Sequence, residues 1–145
     1  VNLFVTRVEG DAAWFRYHHL FQEFLQSKLE RDDPARFVHL HLRAGRVYEE
    51  REDWNEAFRH YSRAGEHDMA ARIVITAAEG LFNAGQWQTL LRWISALPAR
   101  TVASHPEIMI HEASVRVQLG EIEPREGAEL EEYCQAIQRE ASGGD

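Results

Sequence analysis

Residues 41–65, HLRAGRVYEEREDWNEAFRHYSRAG, decide how the chain folds. Gly45 and Tyr48 stand three apart, Ala57 and Tyr61 four apart, and Ala64 follows at the next step. Such three- and four-residue steps put each set on one helix face, so two helices are expected. The small residues let the helices approach closely, and the aromatics fill the space beside them. Outward from this stretch, each further segment carries one apolar stripe. Phe37, Leu40, Ala44, Val47 and Tyr48 form the first, and Trp54, Ala57, Phe58, Tyr61 and Ala64 the second. Ala70, Ile73, Ala77, Leu81 and Phe82 follow, then Trp87, Leu90, Leu91, Ile94 and Leu97, with Pro98 as a stop. Ser104 and Glu107, three apart around Pro106, read as a capping box opening a helix through Met109, Ala113 and Val117. A last helix runs from after Gly120 to about 140, its glutamates forming a solvated face.

The helices pair, and the pairs repeat. Trp54 and Trp87 are 33 apart, and Gly85 and Gly120 are 35 apart. Two helices in about 34 residues is the period of tetratricopeptide (TPR) repeats. His41 and Ala44 stand where that pattern has Trp and Leu, so the repeats are divergent. In the third pair Arg125 occupies the position of Ala57 and Leu90, as in a capping repeat or an array cut short.

Ahead of the repeats the pattern changes. Leu3, Phe4, Val5 and Val8, the turn chemistry of Glu9-Gly10-Asp11, and Trp14-Phe15-Arg16-Tyr17 read as a β-hairpin over 2–17. Leu20, Phe21, Phe24, Leu25 and Leu29 then mark an amphipathic helix over 18–31. Asp33 is placed to cap the next helix, with Pro34 at its first position. The expected fold is mostly α: a short hairpin and helix (1–33), a TPR-like superhelix of antiparallel helix pairs (34–141), and a flexible tail (142–145).

Composition narrows the function. The 145 residues are 44% apolar and carry 24 acidic against 16 basic side chains, a net charge of −8. This is a globular composition, and its acidity argues against a nucleic-acid surface on this segment. No apolar run reaches the roughly 18–20 residues of a membrane span. Cys134, the single cysteine, has no partner for an internal disulfide, which fits a reducing cytoplasm. Opening at Val1 without a targeting segment, the chain reads as a piece of something larger. No phosphate-binding glycine loop is present, and no nucleophile, base and oxyanion site assemble in the sequence. His39-x-His41 and His18-His19 have poor metal spacing, so no metal site is expected. An enzyme is the least supported class, because it would need distant His and Glu residues to converge.

The most specific string is Trp14 to Leu25, WFRYHHLFQEFL. With His41-Leu42-Arg43-Ala44, His60, Ala64-Gly65 and the later LLRWISALP of 90–98, it resembles the large MalT/LuxR-type ATP-dependent transcriptional regulators over about residues 2–120. The resemblance implies the end of a winged helix leading into the first repeats of a TPR-like sensor. In the parent protein, an ATP/ADP-binding signalling ATPase would lie upstream and a LuxR-type helix-turn-helix downstream. The piece itself then holds no cofactor. Its partners would be other domains of its own chain and a small-molecule inducer or regulatory protein. Related signalling ATPases of apoptosis and plant resistance carry a Met-His-Asp-like motif at this place. That likeness puts His18 where a histidine reaches the ADP phosphate in the parent, with His19 standing in the Asp place. The other reading of His18 is capping or packing between hairpin and helix.

Trp93 lies off the stripe of its helix, about 240° from Trp87 at 100° per residue. With Arg92 beside it, Trp93 is a candidate to line a ligand or partner groove. Its alternative, covering the neighbouring helix pair, has the better support because repeat helices bury more than one face. The sequence therefore favours a regulatory sensor segment of an ATP-dependent activator. A stand-alone TPR-like adaptor for a partner peptide or helix is the alternative, and it leaves the hairpin and FRYHHLF string without a role.

Overall fold

The computed structural model describes residues 5–8 and 14–142. Strands β1 (Val5–Val8) and β2 (Trp14–Tyr17) pair antiparallel, Val5 opposite Tyr17 and Val8 opposite Trp14. Helices follow: α1 (His19–Asp32), α2 (Pro34–Glu50), α3 (Trp54–Ala64), α4 (His67–Asn83), α5 (Trp87–Ala96), α6 (Ala99–Ala103), α7 (Pro106–Gln118) and α8 (Pro124–Ser142). The expected Glu9-Gly10-Asp11 turn lies outside the described residues, as do 143–145 of the expected tail. Ser142, which the sequence assigned to that tail, is the last residue of α8.

Boundary chemistry sets the helix lengths. The Asp33 side chain accepts a hydrogen bond from Arg36 N at 3.0 Å, and Pro34 begins α2. Asp53 caps α3 in the same way, through Glu56 N at 3.2 Å. Gly65, Gly85 and Gly120 all take positive φ near 70°. Each donates its N–H three residues back while the next residue donates five back, as in Glu66 N to Tyr61 O at 3.0 Å. This double closure satisfies the last carbonyls of α3, α4 and α7 and needs a left-handed residue. The end of α2 makes the same closure with Glu52 in the glycine position, φ 58°.

Two sequence expectations are corrected here. Ser104 does not cap α7: it follows α6, a short helix the stripes did not show, and its hydroxyl donates to Arg100 O at 2.9 Å. His105 precedes α7, with no capping side chain. In α2, Leu40 and Val47 are exposed, and the buried face is Phe37, His41 and Gly45. Leu40 and Val47 lie about 60° and 80° to one side of Phe37, and His41 and Gly45 about 40° and 80° to the other. The close approach at Gly45 selects the second side.

Sequential helices pack on each other from α1 to α5, and α7 packs on α8. Helix α4 also meets α6 and α7. That is why its buried set widens to Ala70, Ala71, Ile73, Val74, Ala77 and Ala78. The largest fully buried side chains include Tyr61, Ile73, Leu90, Ile108 and Val115. Ile108 and Val115 fell outside the stripe read for α7, because α7 meets helices on more than one side. Helix α1 is different: none of its residues is buried, and Leu20 and Phe24 are mostly exposed.

Candidate functional site

Helices α2 and α3 bring two histidines together. The Nδ1 atoms of His41 and His60 lie 2.7 Å apart, so one ring donates and the other accepts, and both cannot be protonated at Nδ1. Phe37 packs on His41 at 4.4 Å between centroids, and Tyr48 stacks on His60 at 5.4 Å and 11°. Burial, with Arg59 and then His41 beside it, lowers His60 to about 4. Burial also lowers His41, helped by Arg63 and Arg59. The sequence marks His41 as a divergent repeat position and as half of a poor metal pair with His39, and does not pair it with His60. The available signal was that His41 and His60 face each other across helices expected to pair. Among the described residues, no group of three or more His, Cys, Asp or Glu is placed to hold a metal ion.

Beside this pair, the Tyr61 hydroxyl donates to the Glu49 carboxylate, which also meets Arg72 at 3.4 Å. Burial first and Glu49 second push Tyr61 up to about 12. One carboxylate thereby joins α2, α3 and α4.

On the other side of α3 is a groove of about 420 Å³ between α3 and α5. Its floor is Phe58 and Trp93, stacked at 4.8 Å and 10°. Trp93 is only 4% exposed, so it packs across to the neighbouring pair and offers the groove no free ring face. Arg92 is exposed on the rim, and among the described residues it has no ion-pair partner. Arg59 and Arg63 complete the basic rim. Arg59 pairs with Glu56, and Arg63 donates to Gln26 of α1 at 3.0 Å. The structure thus sets Trp93 and Arg92 in one groove and adds Phe58, Arg59 and Arg63, which the stripes gave only as core or as surface charge.

His18 sits apart from this groove, at the entrance to α1. Its carbonyl accepts from Phe21 N and Gln22 N at 2.9 and 3.0 Å. Its side chain is exposed, makes no capping hydrogen bond and lies 4.5 Å from the His19 ring. Cys134 is buried in α8, and burial raises its thiol. Among the described residues, no helix is long and apolar enough to cross a membrane.

Comparison with known proteins fits the strand-to-helix junction at His18. Residues 1–37 match the MalT winged helix domain. The chain is of MalT type. It is 30% identical over 107 residues, 74% of its length, to the HTH-type transcriptional regulator MalT of Vibrio parahaemolyticus. It is 32% identical over 127 residues, 88% of its length, to the serine/threonine-protein kinase PknK of Mycobacterium tuberculosis and of Mycobacterium bovis. The chain spans 11–12% of the length of these relatives. No solved structure matches it significantly.

Proposed function

We propose that this MalT-type segment is the hinge and first sensor repeats of an ATP-dependent transcriptional activator. Its winged-helix end (1–33) would connect an ATPase module to TPR-like helix pairs (34–141), with a LuxR-type helix-turn-helix elsewhere in the parent. The carrying observation is that the similarity to the MalT regulator covers 107 residues, far beyond the 37 of the winged-helix match. The sequential packing of α2 to α5 supports the repeat reading. A repeat array is a surface for contact, and a ligand that binds it better in one state shifts the parent between closed ADP and open ATP forms. In this reading the segment has no catalytic role, holds no cofactor, works in the cytoplasm and binds neither DNA nor membrane directly. Its partners are the parent's other domains and an inducer or regulatory protein.

His18 carries the nucleotide side of the proposal: an exposed imidazole at a helix start, with the favourable field of the helix N-terminus, suits a phosphate. The test is reporter transcription driven by the full-length protein. His18→Ala raises basal output if His18 holds the inactive form, and unchanged output rejects that role. A parent reading frame without a phosphate-loop domain would reject the activator reading.

The adaptor alternative draws on the kinase relatives. A matching segment in proteins named as kinases suits a portable binding unit. A parent whose remaining domains lack a helix-turn-helix would favour it.

A further inference from the structure

We propose that the α3–α5 groove binds a short acidic peptide segment with an apolar anchor. This rests on the regulatory reading and gives its partner surface a chemistry. The chain is acidic overall, at −8. Yet the groove gathers Arg59, Arg63 and Arg92 against one carboxylate, Glu56. That carboxylate is taken up by Arg59, which leaves Arg63 and Arg92 to pair with a visitor. Arg63 keeps Nε and Nη2 for this, since only Nη1 is engaged by Gln26, while its guanidinium lies 5.8 Å from the Phe37 ring centroid. Guanidiniums on a rim recognise carboxylates through paired N–H donors.

The floor decides what accompanies the charge. Phe58 and Trp93 are stacked face to face and almost wholly buried, with Ala96 beside them. A sugar needs a free aromatic face, and neither ring has one. A bare inorganic anion would satisfy the arginines and leave the apolar floor wet. A volume of about 420 Å³ accepts an aliphatic or aromatic side chain with its flanking backbone. The matching occupant places a Leu or Phe on Phe58 and Trp93 while neighbouring Glu side chains reach Arg92 and Arg63. Charges of this kind govern encounter and specificity, and the buried anchor governs residence.

The experiment titrates the 145-residue chain with the peptide Glu-Glu-Leu-Phe-Glu-Glu, blocked at both ends, and follows the arginine Nε–H and Trp indole N–H signals by NMR. Saturable shifts are expected at Arg59, Arg63, Arg92 and Trp93. Replacing the four Glu by Gln, or Leu-Phe by Ser-Ser, weakens binding about tenfold, and so does raising salt from about 50 to about 300 mM. Arg92→Glu weakens it at least about fivefold, while Arg125→Glu on exposed α8 leaves it unchanged. Arg63→Glu serves as a second variant, and each variant's thermal melt shows whether it is folded. No shifts, shifts centred elsewhere, equal binding by the Gln peptide, or equal shifts from inorganic phosphate would each overturn the assignment. Concentration-dependent self-association abolished by Arg92→Glu would overturn it in favour of a second copy of the chain. Whether the parent reading frame holds a phosphate-loop domain is independent of all these outcomes, so failure of the groove and failure of the regulatory reading are told apart.

Discussion

Gly45 lies directly against the ring of Tyr61. A methyl group at 45 would come within 2.7 Å of Tyr61 Cε1 and 2.9 Å of Cδ1. The ring cannot yield, because Tyr61 is fully buried and its hydroxyl is tied to Glu49. Gly45→Ala is therefore expected to destabilise the chain by about 1–3 kcal/mol, as overpacking does. Gly80 is the control: it is also helical, and nothing lies within 4 Å of a Cβ there. Gly80→Ala is expected to stabilise by about 0.5–1 kcal/mol through helix propensity alone. Urea melts of the two variants should move in opposite directions. A Gly45→Ala midpoint equal to wild type would deny the close approach of α2 and α3.

Glu52 is the one described non-glycine residue with positive φ, at 58°. It closes α2 as Gly65, Gly85 and Gly120 close their helices. A side chain there costs roughly 1–2 kcal/mol of left-handed strain, part of which glycine returns as unfolded-state entropy. Glu52→Gly is expected to raise stability by about 0.5–1 kcal/mol and Glu52→Val to lower it. A lower urea midpoint for Glu52→Gly than for wild type would contradict the strain.

The His41–His60 pair makes a pH prediction. His60 has an ordinary value of 6.5 and about 4 in the folded chain. Between these values the unfolded chain binds more protons, so stability is full above about 6.5 and falls as pH drops towards 4. His41 is lowered too, which adds in the same direction. The groups facing the pair are Arg59, Arg63, Glu56, Glu30 and Tyr48. His111, also lowered by burial, adds to the same fall, so the pair accounts for part of it. The melting temperature is expected to fall between pH 6.5 and 5, and His60→Gln is expected to flatten that fall. An unchanged slope in His60→Gln would remove the pair as its cause.

The helices were legible because apolar spacing and break residues agree over long stretches; Asp33, Pro34 and the closing glycines each mark a boundary by a local rule. The faces were less legible. A stripe read by apolar content gave Leu40 and Val47 to the core of α2, because hydropathy does not register that a buried glycine and histidine mark the closest contact. The groove was half legible: Trp93 stood out by its angle and Arg92 by adjacency. Phe58, Arg59 and Arg63 belong to another helix, and only the packing of α3 beside α5 brings them to the same place. The His41–His60 contact likewise spans 19 residues and depends on helix register.

Capping shows how a local rule can be right at one site and wrong at another. Asp33 and Ser104 both precede a proline-led helix, and both look like caps in the sequence. Only Asp33 accepts from a free first-turn amide, Arg36 N at 3.0 Å. Ser104 is separated from Pro106 by His105, and its hydroxyl turns back to Arg100 O. Asp33→Ala is expected to cost about 1 kcal/mol, the ordinary loss for an N-cap. Ser104→Ala gives up one exposed side chain-to-carbonyl bond and no cap, so about 0.5 kcal/mol or less is expected. Chemical denaturation of the two variants checks the order. Equal losses would mean that Ser104 serves α7 after all, and that the helix-start reading drawn from the sequence was the correct one.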